Sequence, residues 1–128
     1  ELTCGLVKTK EKTIIFPVTE IVSKNEFFDY EAKYTDGLSE EITPARITPE
    51  LTHEVQQLSS QIYDIFQLNG IVRIDYIISK NKPYFMEVNT APGMSAASIV
   101  PKQVQAMGSN MKDIFTLVIE DSLNRYHH

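Results

Sequence analysis

Residues 70–98 read GIVRIDYIISKNKPYFMEVNTAPGMSAAS, and the fold prediction is built around this stretch. Apolar and β-branched residues dominate positions 71–78 and again positions 83–90, which predicts two strands. The polar residues 79–82 between them are typical of a turn, so we expect an antiparallel hairpin.

The hairpin brings polar side chains onto one face. Side chains alternate between the faces of a strand, so Arg73 and Asp75 lie on the same side. If the hairpin is centred on Asn81, Asp75 lies opposite Glu87 and Arg73 lies opposite Asn89, with Cβ atoms about 4.5–5.5 Å apart. Opposed carboxylates repel unless a cation lies between them, and such oxygen ligands suit Mg²⁺. The alternative is a solvated polar face in which Arg73 neutralises Asp75. The second strand is expected to carry Phe85, Glu87 and Asn89 on one face and Tyr84, Met86 and Val88 on the other.

The loop at residues 89–95 contains small residues, one proline and one glycine, and a helix is predicted to begin at Pro101. Backbone N–H groups in such a loop, or at a helix N-terminus, can bind an anion. A cation site beside an anion-binding loop indicates phosphate chemistry, although most Pro-Gly turns are only turns.

The remaining pattern predicts an α+β fold with a mainly antiparallel sheet and packed helices. One amphipathic helix is expected to begin at the cap Thr48 and to stop at Gly70, and His53 lies off its apolar stripe, as a surface residue does. Residues 27–41 lack any period and predict a long loop. The other elements are expected as strands at 2–8, 13–16 and 19–23, and as helices at 101–107 and 110–126.

Composition excludes several classes of function. Of the 128 residues, 42% are hydrophobic, which is enough for one core. The net charge of −5 is unlike that of a nonspecific nucleic-acid binder. No apolar run approaches the ~20 residues that span a membrane. Cys4 is the only cysteine, so no intrachain disulfide is possible, and a buried strand position is expected for it.

Three motifs together resemble one family. Residues 70–77 (GIVRIDYI) and 84–101 (YFMEVNTAPGMSAASIVP) resemble the C-terminal signature of the D-alanine–D-alanine ligases, members of the ATP-grasp superfamily. Residues 28–34 (FDYEAKY) resemble that family's mobile catalytic loop, and residues 1–5 (ELTCG) resemble the strand that ends its nucleotide-contacting segment.

The resemblance implies an activity. Such enzymes use ATP and two Mg²⁺ (or Mn²⁺) to join two D-alanines through an acyl phosphate, for peptidoglycan synthesis in the bacterial cytoplasm, and they commonly form homodimers. By the same resemblance, residues 1–126 are expected to be the C-terminal ATP-grasp domain of a longer chain, inactive alone. Residues 127–128 are expected to be a tag remnant.

The resemblance also implies site roles. Asp75, Glu87 and Asn89 would hold the metals, with Glu87 bridging, and Arg73 and the N–H of Gly93 would stabilise the oxyanion. The remaining implied contacts are Ser98 and the N–H of Ile99 for the second substrate's carboxylate, Lys33 for the nucleotide phosphates, Tyr34 for the first substrate's site, and Glu1, Phe27 and Met86 for the nucleoside.

Simpler interpretations stay open at several positions. Ser98 can be only a polar residue before a helix, Met86 can be a core residue, Glu1 can be an uninformative terminus, and residues 27–41 can be a plain surface loop. For the whole chain, the alternatives are another ATP-grasp carboxylate–amine ligase and a non-catalytic binding domain.

Overall fold

A computed structural model describes residues 1–23 and 39–126. Within these residues, five strands form one sheet in the order β3-β2-β1-β4-β5, with antiparallel neighbours throughout. The predicted α+β class is therefore confirmed. The strands are β1 (Leu2–Lys8), β2 (Thr13–Ser23), β3 (Ser39–Ile42), β4 (Ile71–Ser79) and β5 (Lys82–Asn89), and the helices are α1 (Pro49–Ile65), α2 (Ile99–Ala106) and α3 (Met111–Tyr126).

Helices cover both faces of the sheet. On one face, Leu6 of β1 belongs to a core cluster with Val55 of α1. On the other face, Val7 belongs to a second cluster with Val104 of α2 and Ile114 of α3. Successive β1 residues thus enter different cores, because side chains alternate along a strand. Asp75 faces the α2 side, since it pairs with Thr3 and alternates with the α1-facing Ile74.

β2 is one strand, whereas the sequence predicts a break around Pro17. The register of the β1–β2 ladder steps between Cys4 and Leu6, so Phe16 and Pro17 both lie opposite Gly5. Such a bulge tolerates proline, which has no N–H to donate to the ladder. The predicted break was wrong because the bulge absorbs the proline without ending the strand.

α1 begins as predicted and ends earlier. The hydroxyl of Thr48 accepts a hydrogen bond from the N–H of Leu51 (3.1 Å), which caps the helix. The helix ends at Ile65 and not before Gly70, because Gln67 adopts the left-handed conformation (φ 52°) that usually falls to glycine. Ile65 is 73% exposed, so the apolar stripe stops a turn earlier than the sequence predicts.

Other boundaries shift by smaller amounts. Residues 39–41, predicted as loop, form the start of β3, and α2 begins at Ile99 and not at Pro101. The last helix begins within one residue of its predicted start, and Asn110 Oδ1 caps it by accepting from the N–H of Asp113 (2.9 Å). The rest of the predicted loop, with Phe27, Lys33 and Tyr34, lies outside the described residues.

Two smaller expectations are confirmed. Cys4 is fully buried, and burial raises the pKa of its thiol to about 12. His53 is exposed on α1. Across residues 1–23 and 39–126, none of the helices has the length and apolar character needed to cross a membrane.

Candidate functional site

The β4–β5 hairpin is built from a tight turn and a bulge. Lys80 and Asn81 both have positive φ (52° and 63°), as in the two-residue turn that best matches strand twist. A regular ladder from this turn would place Asp75 opposite Met86. The register instead shifts by one residue, so that Asp75 pairs with Glu87. The predicted pairing is thus confirmed, although by a different route.

The bulge changes which side chains share a face near the turn. Phe85 pairs with Tyr76 on the α1 side, and its ring lies 6.0 Å from that of Phe66. Tyr84 pairs with Ile77 and so faces the side of Asp75. The predicted faces of Phe85 and Tyr84 were therefore wrong, because alternation does not continue through an extra residue.

Asp75 is the most enclosed of the four polar side chains that the hairpin contributes. It is 3% exposed and accepts three hydrogen bonds. Thr3 Oγ1 donates to its Oδ1 (2.6 Å), Arg73 Nε donates to the same oxygen (3.1 Å), and Arg73 Nη2 donates to Oδ2 (3.3 Å). Arg73 therefore neutralises Asp75, as the simpler interpretation requires, and it also fixes the carboxylate in one orientation.

Glu87 and Asn89 complete the polar face. The Glu87 side chain is exposed opposite Asp75. The Asn89 side chain lies opposite Arg73, and its Oδ1 accepts from the N–H of Ala91 (3.0 Å), which starts the following loop. An amide oxygen has two lone pairs, so one is left for another partner.

The arrangement suits an open cation site and not a closed cage. Among residues 1–23 and 39–126, no cluster of three or more His, Cys, Asp and Glu side chains could hold a metal ion. The face offers two carboxylates and one amide oxygen. Mg²⁺ commonly binds to one or two carboxylates while water and substrate phosphates supply the other ligands.

The hydroxyl of Ser98 is not used to cap its own helix. Ser98 is the N-cap residue of α2, but its side chain makes no capping hydrogen bond. Its Oγ lies 2.9 Å from Ser95 Oγ, and a Cβ added at Gly93 would lie 2.7 Å from it. The N–H of Ile99 opens the helix and has no intrahelical acceptor. The N–H of Ile99 is thus available to an anion, and so is the hydroxyl of Ser98 when Ser95 is the donor of their hydrogen bond.

Two of the positions predicted for the nucleoside, Glu1 and Met86, lie within the described residues. Glu1 lines a cavity of about 740 Å³ that Leu2, Ile78 and residues of α1 also line. That cavity lies on the α1 side of the sheet, away from Asp75. Met86 is 46% exposed on the edge strand, so the alternative of a core residue is wrong.

Two buried polar residues near the site escape the sequence reasoning. Thr3 donates to Asp75, and Gln103 of α2 is hydrogen-bonded to β1. A threonine in a strand and a glutamine in a helix are ordinary patterns. The available signal is Gly5, because a glycine within an apolar strand often marks a close approach by another element.

Known proteins share the sequence of this chain over most of its length. The family model described as "D-ala D-ala ligase C-terminus" matches residues 1–120. The chain belongs to this ligase family. The D-alanine–D-alanine ligase of Bacteroides fragilis is 57% identical over 122 residues, which are 94% of this chain and 37% of that protein. The one from Parabacteroides distasonis is 51% identical over 96% of this chain. The chain thus spans 37% of the length of these curated relatives.

Solved structures agree with the D-alanine–D-alanine ligase assignment. A D-alanine–D-alanine ligase from Bacillus anthracis is 34% identical, with a TM-score of 0.76 over 96% of this chain and 39% of that one. The same enzyme complexed with ATP gives a TM-score of 0.73. The VanG D-Ala:D-Ser ligase of Enterococcus faecalis is 29% identical, with a TM-score of 0.79 over 93% of this chain and 35% of that one. The predicted fold, the C-terminal part of an ATP-grasp ligase, is confirmed.

Proposed function

We propose that the protein containing this chain is an ATP-dependent D-alanine–D-alanine ligase that forms the dipeptide through an acyl phosphate, for peptidoglycan synthesis. The observation that carries the proposal is the direct opposition of Asp75 and Glu87 beside a loop that ends at Ser98, whose hydroxyl does not cap its own helix. Family membership over residues 1–120 supports the same reaction. Because the chain spans 37% of its relatives' length, we expect residues 1–128 alone not to ligate.

Two Mg²⁺ or Mn²⁺ ions fit this face. Asp75 Oδ2 accepts a single, long hydrogen bond (3.3 Å), so it retains a lone pair directed elsewhere. Glu87 is exposed and offers both oxygens, which suits a bridging ligand, and Asn89 adds its second lone pair. Asp75, Glu87 and Asn89 would hold the ions, whose positive charge would neutralise and orient the phosphoryl group of ATP.

Arg73 and Gly93 serve the second step in this proposal. Attack by the amine of the second D-alanine creates a tetrahedral oxyanion, and a fixed donor stabilises it without further reorganisation. Arg73 is already held in place by Asp75 (3.1 and 3.3 Å). The loss of one such donor raises a barrier by roughly 2.7–4 kcal/mol in other enzymes.

Ser98 and Ile99 bind the carboxylate of the second D-alanine in this proposal. The hydroxyl and the first N–H both belong to the start of α2, and the helix dipole favours a negative charge at this end. The other proposed roles rest on the family resemblance: Lys33 on the phosphates, Tyr34 at the first substrate, and Glu1, Phe27 and Met86 around the nucleoside.

The test is ADP release by the full-length protein with Mg²⁺-ATP and D-alanine, beside L-alanine and D-lactate. A signal that depends on D-alanine is expected. Glu87→Gln should lower the rate by about a hundredfold or more, because metal ions supply several kcal/mol of stabilisation to the transition state. Glu120→Gln, which makes the same charge change at an exposed position of α3, is the matched control. An unchanged rate in Glu87→Gln would favour a non-catalytic binding domain.

A second candidate is an ATP-grasp ligase with a different acceptor. The likeness to a D-Ala:D-Ser ligase, at a TM-score of 0.79, supports this possibility. Only the surroundings of Ser98 and Tyr34 need to differ between such enzymes. Adding D-serine to the assay separates the two candidates, because each predicts its own acceptor.

We further propose that the full-length protein is a cytoplasmic homodimer that binds neither membrane nor nucleic acid. The family resemblance supports this assignment, and the net charge of −5 disfavours binding to polyanions. Light scattering on the full-length protein would measure its mass, and a monomer would contradict the dimer.

A further inference from the structure

Gln103 is a fully buried polar residue in the second turn of α2. Its Oε1 accepts from the N–H of Gly5 (3.0 Å), and its Nε2 donates to the carbonyl of Thr3 (3.0 Å) and to the hydroxyl of Thr19 (3.0 Å). One side chain thus joins α2 to two adjacent strands.

The orientation of the Gln103 amide is fixed by its partners. The N–H of Gly5 can only donate, so it requires the amide oxygen, and the carbonyl of Thr3 can only accept, so it requires the amide nitrogen. Gly5 lies at the bulge in β2 and has no single partner there, whereas Thr3 still pairs with Thr19 just before the register shift. Gln103 therefore satisfies the N–H of Gly5 at the bulge and, through the carbonyl of Thr3, holds this part of β1 in place.

The same segment of β1 supports the candidate metal ligand. Thr3 is fully buried, and its hydroxyl donates to Asp75 Oδ1 (2.6 Å). The backbone of Thr3 is held by Gln103, so the direction of its hydroxyl depends on that glutamine. Gln103 lies about 7.5 Å along the helix axis from Ser98. Ser98 is at the end of α2 that is proposed to bind the acceptor carboxylate.

We propose that Gln103 is a positioning residue, which acts through Thr3 to orient the Asp75 carboxylate for its metal ion and ties it to the N-terminus of α2. This inference rests on the proposed function, since it concerns the metal-binding role of Asp75. Neither Gln103 nor Thr3 touches substrate in this scheme. Partners that orient metal ligands typically matter by 10–100-fold in metal affinity.

The experiment measures Mn²⁺ binding to the full-length protein by electron paramagnetic resonance, with Mn²⁺ alone as the probe. Gln103→Met removes the amide at similar length, and Thr3→Val removes the hydroxyl while keeping the backbone bond to Gln103. Each should raise the Mn²⁺ Kd about tenfold or more, whereas Thr3→Ser and the exposed control Gln105→Met should change it by roughly twofold at most. Should Gln103→Met fail to fold, Gln103→Glu takes its place, because it keeps an acceptor for Gly5 and loses the donor to Thr3.

The outcomes separate this inference from the proposed function. Weaker Mn²⁺ binding in the Gln103 and Thr3→Val variants supports the positioning role, even if the unaltered protein releases no ADP with D-alanine. Unchanged Mn²⁺ binding in a protein that does release ADP overturns the positioning role and leaves the ligase standing. Absence of Mn²⁺ binding by the unaltered protein overturns the positioning role as well.

Discussion

Asp75 lies opposite Glu87 because Met86 is an extra residue in β5. The two-residue turn at Lys80 and Asn81 would otherwise pair Asp75 with Met86, and the two carboxylates would not face each other. The turn and the bulge therefore act together, and the site depends on both.

The turn holds Lys80 in a backbone conformation that is unfavourable for lysine. Lys80 has a φ of 52°, which an ordinary side chain adopts only at an energetic penalty, whereas asparagine tolerates it. We expect Lys80→Asn to raise the free energy of unfolding by about 1 kcal/mol, measured by urea denaturation. Lys82→Asn makes the same charge change within β5, where asparagine is disfavoured. A gain of the same size in Lys82→Asn would contradict the conformational explanation.

Ser98 and Thr48 are both N-cap residues, and their substitution should have opposite consequences. Thr48 caps α1 through its hydroxyl, whereas Ser98 makes no such bond. Thr48→Ala should therefore lower the free energy of unfolding by about 1 kcal/mol and leave ligation unchanged. Ser98→Ala should leave stability nearly unchanged and raise the KM for the second D-alanine. A stability loss in Ser98→Ala equal to that in Thr48→Ala would show that Ser98 is only a helix-start residue.

Gly5 marks a close approach of α2 to the sheet. A Cβ at this position would lie 2.7 Å from Gln103 Oε1 and 2.8 Å from Phe16 Cδ2, and both side chains are fully buried. Gly5→Ala should therefore lower the free energy of unfolding by about 1–3 kcal/mol, measured by urea denaturation. A Cβ at Gly93 would contact only the Ser98 side chain. Gly93→Ala should therefore lower the free energy of unfolding less than Gly5→Ala does, and it should also reduce activity. Equal stability losses in the two variants would contradict this account of packing.

Burial of Cys4 makes stability depend on alkaline pH. The pKa of its thiol is about 12 in the folded protein, against an ordinary value of 9.0. Between these values the unfolded chain loses the proton and the folded protein keeps it, so the free energy of unfolding should fall as pH rises, by about 1.4 kcal/mol per pH unit. Burial also raises the pKa of Tyr76, which adds to the fall above pH 10.0. Urea denaturation from pH 8 to 11 measures the slope, and Cys4→Ala should make it shallower. An equal slope in Cys4→Ala would exclude the thiol as its source.

The hairpin and its pairing were predictable because periodicity and turn composition are local signals. The sequence predicts the pairing of Asp75 with Glu87 if the turn is centred on Asn81. In the structure the same pairing results from a shorter turn and a bulge. The faces of Tyr84 and Phe85 could not be predicted, because no local pattern announces an extra residue.

Other errors came from interactions between distant segments. Pro17 predicts a break in β2, but the strand continues through this proline because a bulge forms opposite Gly5 of the neighbouring strand. Gln103 is an ordinary helical residue by sequence, and its importance depends on the backbone of β1. Tertiary contacts of this kind are invisible to a reading of local periodicity.

The central strand of the sheet has a consequence for the order of assembly. The β1–β2 and β4–β5 pairs are adjacent in the chain, whereas β1 and β4 join residues as distant as Thr3 and Asp75, which are 72 positions apart. Local hairpins close quickly and long loops close slowly. We therefore expect the seam between β1 and β4 to form last. A nascent chain acquires the buried hydroxyl that supports the Asp75 carboxylate only when that seam closes, so the polar face of the hairpin reaches its final geometry late in folding.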